Sequence, residues 1–407
     1  MPEAVIVATA RSPIGRAFKG SLTQLRPDDL TVQMVRAVLD KVPMLDPRDI
    51  DDLLLGCGLP GGEQGFNLAR VVAVLLGMDH LPGTTLTRYC SSSLQTTRMA
   101  FHAIKAGEGD VFISAGVETV SRFGNGNSDA IPGRETHNPI FDDARQRTRR
   151  FAEGGQRWMD PREYGAIPDI YLAMGQTAEN LAQFRGVTRA EQDEFGVRSQ
   201  NLAEKAMTNG FWERDITAVT LPDGTVVDTD DGPRAGTTLE KVATLQPVFR
   251  PDGTVTAGNC CPLNDGAAAL LVMSDTKAAE LGLTPLARIV STGLTALSPE
   301  IMGLGPVGAS QQALRRAGMT IDDIDLVEIN EAFAAQVIPS YRDLEIDLDR
   351  LNINGGAIAV GHPFGMTGAR IATTLLNSLE FHDKQLGLET MCVGGGQGMA
   401  MIVERLS

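Results

Sequence analysis

Five cysteines and five histidines make up the nucleophilic and general-base inventory of this chain. Cys90 stands out by its surroundings. It precedes Ser91-Ser92-Ser93 at the predicted start of a helix, where unpaired amides and the helix dipole favour a thiolate. Without such a setting a lone cysteine is usually a small buried hydrophobe. His362 lies in a glycine-rich stretch, with Gly355, Gly356, Gly361, Gly365 and Gly368 around it. Glycines let the backbone approach a ligand closely. Pro363 restricts His362 to an extended or turn conformation, which suits a loop imidazole aimed at a cavity. His80, His102, His137 and His382 have no such context and read as structural or surface residues. Cys392 falls where a predicted strand runs into Gly394-Gly395-Gly396. Backbone N–H groups of such a turn suit an anion. Phosphate-loop spacing is missing, so an oxyanion hole at Gly394 beside a second thiol is the better reading. Asn330 stands at the end of another predicted strand, the usual ligand edge of a parallel sheet. Its amide can orient a water or donate to an oxyanion. Glu331 reads either as a general base or as a partner that holds the loop.

These residues need elements to position them. Residues 4–8 and the stretch after Asp49 read as buried strands. Apolar spacing from Pro27 and from Asn67 to Leu76 predicts helices. A third helix runs from Cys90 to near Gly107, followed by a strand over 111–116. Strands alternating with helices predict a parallel α/β layer. The last third repeats this plan. Asp51 to Cys90 spans 39 positions (90 − 51), and Asp325 to His362 spans 37 (362 − 325). A helix follows each, then a strand at Val111 or at Leu386. This predicts a duplicated unit in which Cys90 and His362 occupy equivalent strand-to-helix corners. Between the halves, roughly 121–250 reads as a loop-rich insertion covering the site. It holds Gly-Asn-Gly-Asn at 124–127, a helical part over about 173–209, and Arg145, Arg147, Arg149 and Arg150. These arginines read as a solvated face balanced by acids, or as a contact for ligand phosphates.

Composition bounds the function classes. The 407 residues carry a net charge of −15, with 43% hydrophobic and 21% charged residues. That is an ordinary globular balance. It argues against a general nucleic-acid binder but not against an anionic ligand held by a local basic cluster. No secretory signal and no run of about 20 apolar residues is visible. The cysteines are odd in number and irregularly spaced, which argues for a reduced, cytoplasmic setting and against a disulfide framework or a structural zinc.

The Cys90 box, Asn330-Glu-Ala-Phe-Ala334, Gly361-His-Pro-Phe-Gly365 and Cys392-Val-Gly-Gly-Gly-Gln-Gly398 resemble the signatures of the thiolase family. Gly253-Thr-Val-Thr-Ala-Gly-Asn259, Asn264-Asp-Gly-Ala-Ala-Ala269 and Met174-Gly-Gln-Thr-Ala-Glu-Asn180 match it too, and the motif order is kept from about residue 4 onward. The resemblance implies an α/β thiolase-like fold: two duplicated halves in a layered core, with an inserted loop domain. The corresponding boundaries are 1–270, carrying the insertion at about 121–250, and 271–407. It implies acyl-CoA and coenzyme A as substrates, no prosthetic group, no metal, no membrane partner, and a homodimer or homotetramer.

The implied reaction is cleavage of a 3-ketoacyl-CoA by coenzyme A. Cys90 would be acylated after activation by His362, and Cys392 would protonate the leaving enolate and then deprotonate coenzyme A. Asn330 with a water, and the N–H groups of Cys90 and Gly394, would hold the oxyanions. Arg234, Cys261 and Met174 match positions near coenzyme A. Cys261 departs from a common serine and hydrogen-bonds more weakly. Ala173 stands where some acetoacetyl-specific members have a histidine, which favours a longer or different acyl chain. Condensation of two acetyl-CoA is the alternative direction. A thiolase-like lipid-binding protein or a ketoacyl synthase would not need Cys392.

Overall fold

The computed structural model describes residues 2–125, 137–155 and 157–407. Aliphatic strands gather into one mixed sheet of ten strands. The order across it is Leu326–Ile329, Leu386–Val393, Gln397–Arg405, Ala287–Ala296, Ala4–Arg11, Asn264–Ser274, Val111–Thr119, Asp52–Cys57 and Gly83–Leu86. The short Gly15–Arg16 pairs beside Asn264–Ser274. Apolar clusters cover both faces. One contains Leu94, Leu270 and Leu375, the other Leu30, Leu53 and Leu271. Strands buried on both faces need continuous apolar runs, and Asn264–Ser274 is buried along its whole length.

The duplicated plan is written in the pairings. Asp52–Cys57 runs parallel to Val111–Thr119, which is antiparallel to Asn264–Ser274, itself antiparallel to Ala4–Arg11. Leu326–Ile329 runs parallel to Leu386–Val393, which is antiparallel to Gln397–Arg405, itself antiparallel to Ala287–Ala296. The same carboxylate device recurs. Asp51 accepts from the N–H groups of Asp110 and Val111 at 2.7 and 2.9 Å. Asp325 accepts from those of Gln385 and Leu386 at 3.0 and 2.8 Å. The strand sets join where Val5 and Ile6 pair with Arg288 and Ala287.

The expected parallel sheet is thus only partly parallel. Asn264–Ser274, Ala287–Ala296 and Gln397–Arg405 supply the antiparallel pairings, and alternation of helix and strand gave no signal for them. Gln397–Arg405 follows its neighbour after a tight turn, so no crossover helix intervenes. The helical stretch 173–209 is two helices, Met174–Arg185 and Arg189–Thr208. Gly186 ends the first at φ 64°, and a Thr188–Glu191 capping box starts the second. The arginine cluster forms the helix Asp142–Ala152. Arg147 pairs with Glu300 at 2.7 Å and Arg145 with Asp142 at 3.4 Å. Of the Gly-Asn-Gly-Asn segment, residues 126 and 127 lie outside the described residues. Among the described residues no helix is long and apolar enough to cross a membrane.

Two central helices, Ser92–Ala106 and Thr367–Phe381, position the candidate site. Each has 15 residues. They cross in backbone contact: a Cβ at Gly368 would run into the backbone N of Leu94. Ser93 Oγ accepts the Ala369 N–H at 2.9 Å across the crossing. Both helix starts therefore face one corner of the molecule. Cys90 stands two residues before Ser92 and His362 five before Thr367, so the corners are equivalent but the two residues are not in register.

Candidate active site

Cys90 does not open the long helix. It sits in a separate turn, Tyr89–Ser91, just ahead of it. Tyr89 is held at φ 44°, a left-handed conformation costly for a bulky residue. Polar contacts over-determine it. The Tyr89 N–H donates to Thr87 Oγ1 at 3.2 Å, and Ser92 Oγ donates to the Tyr89 carbonyl at 2.6 Å. The serines after Cys90 thus fix the turn and the helix crossing rather than cap a helix. Arg88 pins the turn to the opposite half through Gln397 Oε1 at 2.7 Å.

The N–H groups of Gly394 and of Cys90 itself point at the Cys90 sulfur. Both favour a thiolate, as the helix-start reading expects. Burial outweighs them and pushes the thiol up to about 11. At rest Cys90 is a neutral thiol, and it would need a base to act as a nucleophile. Cys392 is fully buried at the end of Leu386–Val393, just before the glycine turn. Burial first, and then the neighbouring Cys90, raise its thiol well above the ordinary range.

His362 supplies a neutral imidazole. Its backbone N–H donates to Asn264 Oδ1 at 3.0 Å. Its Nδ1 lies 2.6 Å from Thr367 Oγ1, whose own proton goes to the Pro363 carbonyl at 2.7 Å. The threonine oxygen therefore accepts, Nδ1 carries the proton, and Nε2 keeps its lone pair. Burial, with Arg370 nearby, pushes His362 down to about 3, so Nε2 is a free base at neutral pH. Asn330 Nδ2 lies 3.3 Å from Nε2. Asn330 Oδ1 is buried and has no hydrogen-bond partner among the described residues, which fits an oriented water. Glu331 proves to be a loop holder. It accepts from Ser199 Oγ at 2.5 Å, Asn352 Nδ2 at 2.8 Å and the Ile358 N–H at 3.1 Å.

The residues expected near coenzyme A line two cavities. One, of about 300 Å³, is lined by Cys90, Gly394, Met174, Phe364 and Tyr171 among others. The second, of about 460 Å³, is lined by Arg234 and Cys261 together with Arg16 and Lys241. Met174 and Arg234 thus line different cavities, while Cys261 lies near both Cys90 and Cys392 and packs with Met174 against one apolar cluster. Cys261 is half-buried, and its backbone N–H is tied to the Ala332 carbonyl at 3.0 Å.

Sequence reasoning passed over Glu118, Thr367 and Phe364. Glu118 is buried and accepts from the N–H groups of Gly58 and Gly365 at 2.7 and 2.9 Å, so it joins the loop after Asp52–Cys57, which lines the Cys90 cavity, to the loop after His362. Thr367 stands one helical turn beyond Pro363, a spacing that the motif itself displays.

The family model for "Thiolase, N-terminal domain" matches residues 4–276, and that for "Thiolase, C-terminal domain" matches residues 283–405. The chain belongs to the thiolase family. This thiolase is 42% identical to a 3-ketoacyl-CoA thiolase of Idiomarina loihiensis, over 100% of both chains. It is 40% identical to a beta-ketoadipyl-CoA thiolase of Acinetobacter baylyi, also over 100% of both. Its fold matches human mitochondrial 3-ketoacyl-CoA thiolase in complex with CoA, with TM-score 0.85, 32% identity, and coverage of 100% of this thiolase and 98% of that chain. The thiolase-like fold read from the motifs is the fold observed.

Proposed function

We propose that this enzyme is a 3-ketoacyl-CoA thiolase working in the degradative direction, an acyltransferase that uses coenzyme A as cosubstrate. The observation that carries the reading is one corner of the fold. There a buried neutral thiol with two backbone donors aimed at its sulfur lines an apolar cavity beside a second buried thiol, and a neutral imidazole base stands just ahead of the helix that crosses its own.

The steps follow from proton positions. His362 Nε2 takes the Cys90 proton as the sulfur attacks the ketone carbon. The carbon–carbon bond breaks, leaving an acyl-Cys90 thioester and an acetyl-CoA enolate. Cys392 gives its proton to the enolate carbon. The Cys392 thiolate then takes the proton of coenzyme A, whose sulfur attacks the thioester, and the departing Cys90 sulfur takes its proton back from His362. The N–H groups of Cys90 and Gly394 hold the thioester oxyanion, and removing one such donor costs about 3–4 kcal/mol of barrier. His362 and a water on Asn330 hold the enolate oxygen. The cavity with Arg16, Arg234 and Lys241 brings three cations to the phosphate-bearing end of coenzyme A, with Cys261 beside the pantetheine and Met174 at the thioester end.

The same reading divides the chain into residues 1–270, with the insertion at about 121–250, and residues 271–407. It includes a homodimer or homotetramer and a cytoplasmic setting. Five free cysteines support that setting. Intact-mass analysis after mixing with acetyl-CoA tests the core of the proposal. The wild type gains one acetyl group and Cys90→Ser gains none at a cysteine. An adduct of equal yield on another cysteine of the variant would overturn the assignment.

A further inference from the structure

The cavity at Cys90 abuts another. The second, of about 470 Å³, is lined by Pro60, Gly61, Gly62, Thr87 and Phe123, and shares Gly58, Leu59 and Tyr89 with the first. Tyr89 is therefore the large side chain on the wall between them. Its ring lies against Gly394, where a Cβ would sit 3.3 Å from the ring. Its backbone is fixed in the left-handed region by Thr87 and Ser92. The far wall is built as firmly. Tyr171 is packed between His137 and Phe141, with ring centroids 4.4 and 5.4 Å away.

Among the described residues, no side chain lining either cavity is charged. The cavity of about 300 Å³ takes an alkyl chain of several methylenes. A medium-length alkyl chain fills it. A chain ending in a carboxylate would face apolar walls and meet no cation among the described lining residues, which disfavours it.

We infer that Tyr89 is the specificity-determining residue of the acyl site, with Leu59 beside it. It limits the site to uncharged, apolar acyl groups of medium length by closing off the adjoining cavity. This rests on the thiolase activity proposed above and deepens it. Tyr89 acts on the acyl chain and takes no part in bond making. Its position next to Cys90 hides any separate signal for it along the chain.

The test is thiolysis across uncharged 3-ketoacyl-CoA substrates from four to sixteen carbons, with 3-ketoadipyl-CoA as the charged probe. The enzymes are the wild type, Tyr89→Ala, Tyr89→Phe and Leu59→Ala. The wild type is expected to peak at medium length. It should cleave 3-ketoadipyl-CoA with kcat/KM about a hundredfold below its uncharged six-carbon counterpart. Tyr89→Ala should raise the ratio of long-chain to medium-chain kcat/KM about tenfold or more, and Leu59→Ala should move it the same way. Tyr89→Phe keeps the ring and should keep the wild-type profile. Leu59→Ala leaves the turn at Cys90 intact, so it decides the matter if Tyr89→Ala disturbs that turn. A profile unmoved by both alanine variants, or 3-ketoadipyl-CoA as the best substrate, would overturn the inference while leaving the thiolase activity standing. A wild type that cleaves no 3-ketoacyl-CoA would remove both.

Discussion

At the residue scale, the proposed chemistry turns on two thiols and one imidazole held away from water. Cys392 is fully buried, so its proton is available to a neighbouring carbanion rather than to bulk solvent. Cys392→Ser should still form the acetyl adduct on Cys90. It should slow exchange of the acetyl-CoA methyl protons with deuterium about a hundredfold or more, read by NMR. Unchanged exchange would remove the acid–base role. The imidazole carries a pH signature. His362 must be neutral to accept the Cys90 proton, and its folded pKa is depressed to about 3 by burial and Arg370. An ordinary imidazole would lose its base form as pH falls through about 6.5. Acylation of Cys90 should therefore stay flat through that range and decline only at more acid pH. A fall in the acylation rate centred near 6.5 would show that His362 titrates like an exposed histidine. Of this scale, Cys90, His362, Cys392 and Asn330 could be picked out as candidates from their glycine-rich or strand-end surroundings. The thiol's high pKa was not, because the helix-start argument counts local dipoles while burial is a property of the whole fold.

At the element scale, the two central helices bring the halves' chemistry together by touching backbone to backbone. Glycine at 368 permits that approach, since a Cβ there would meet Leu94. Alanine is intrinsically about 1 kcal/mol better than glycine inside a helix. Overpacking against a backbone atom costs about 1–3 kcal/mol, because the helices must separate. Gly368→Ala should therefore lower stability by about 1 kcal/mol, measured by denaturant titration, and slow acylation. A stabilised variant with full activity would show that the crossing is loose. The helices and their spacing could be read from the duplicated pattern. The antiparallel strands could not, because an apolar run such as Asn264–Ser274 carries no period that marks its direction.

Across the whole molecule, one buried charge cluster ties three regions together. Arg11, at the end of Ala4–Arg11, pairs with Asp215 of the insertion at 2.7 Å and with Asp230 at 2.6 Å. Asp215 also accepts from Thr374 Oγ1 at 3.2 Å and Asn377 Nδ2 at 2.8 Å, on the helix that follows His362. The first strand, the insertion and the His362 helix share this one carboxylate. Asp215→Ala leaves Arg11 short of a partner in a fully buried site and should cost about 3–5 kcal/mol. Thermal unfolding checks this, and a loss below about 1 kcal/mol would mean that the cluster is not a clasp.

The sequence by itself determined which residues could react. Their types and the glycines around them set what the backbone can do locally, and the repeat of helix and strand placed Cys90 and His362 at matching corners. Only the tertiary structure decided what those residues are. Burial makes Cys90 a neutral thiol, Thr367 selects the imidazole tautomer, Glu118 locks the two loops, and Tyr89 walls one cavity from another. Each of these depends on distance and exclusion of water between residues far apart in the chain, and neither quantity is encoded in spacing along it.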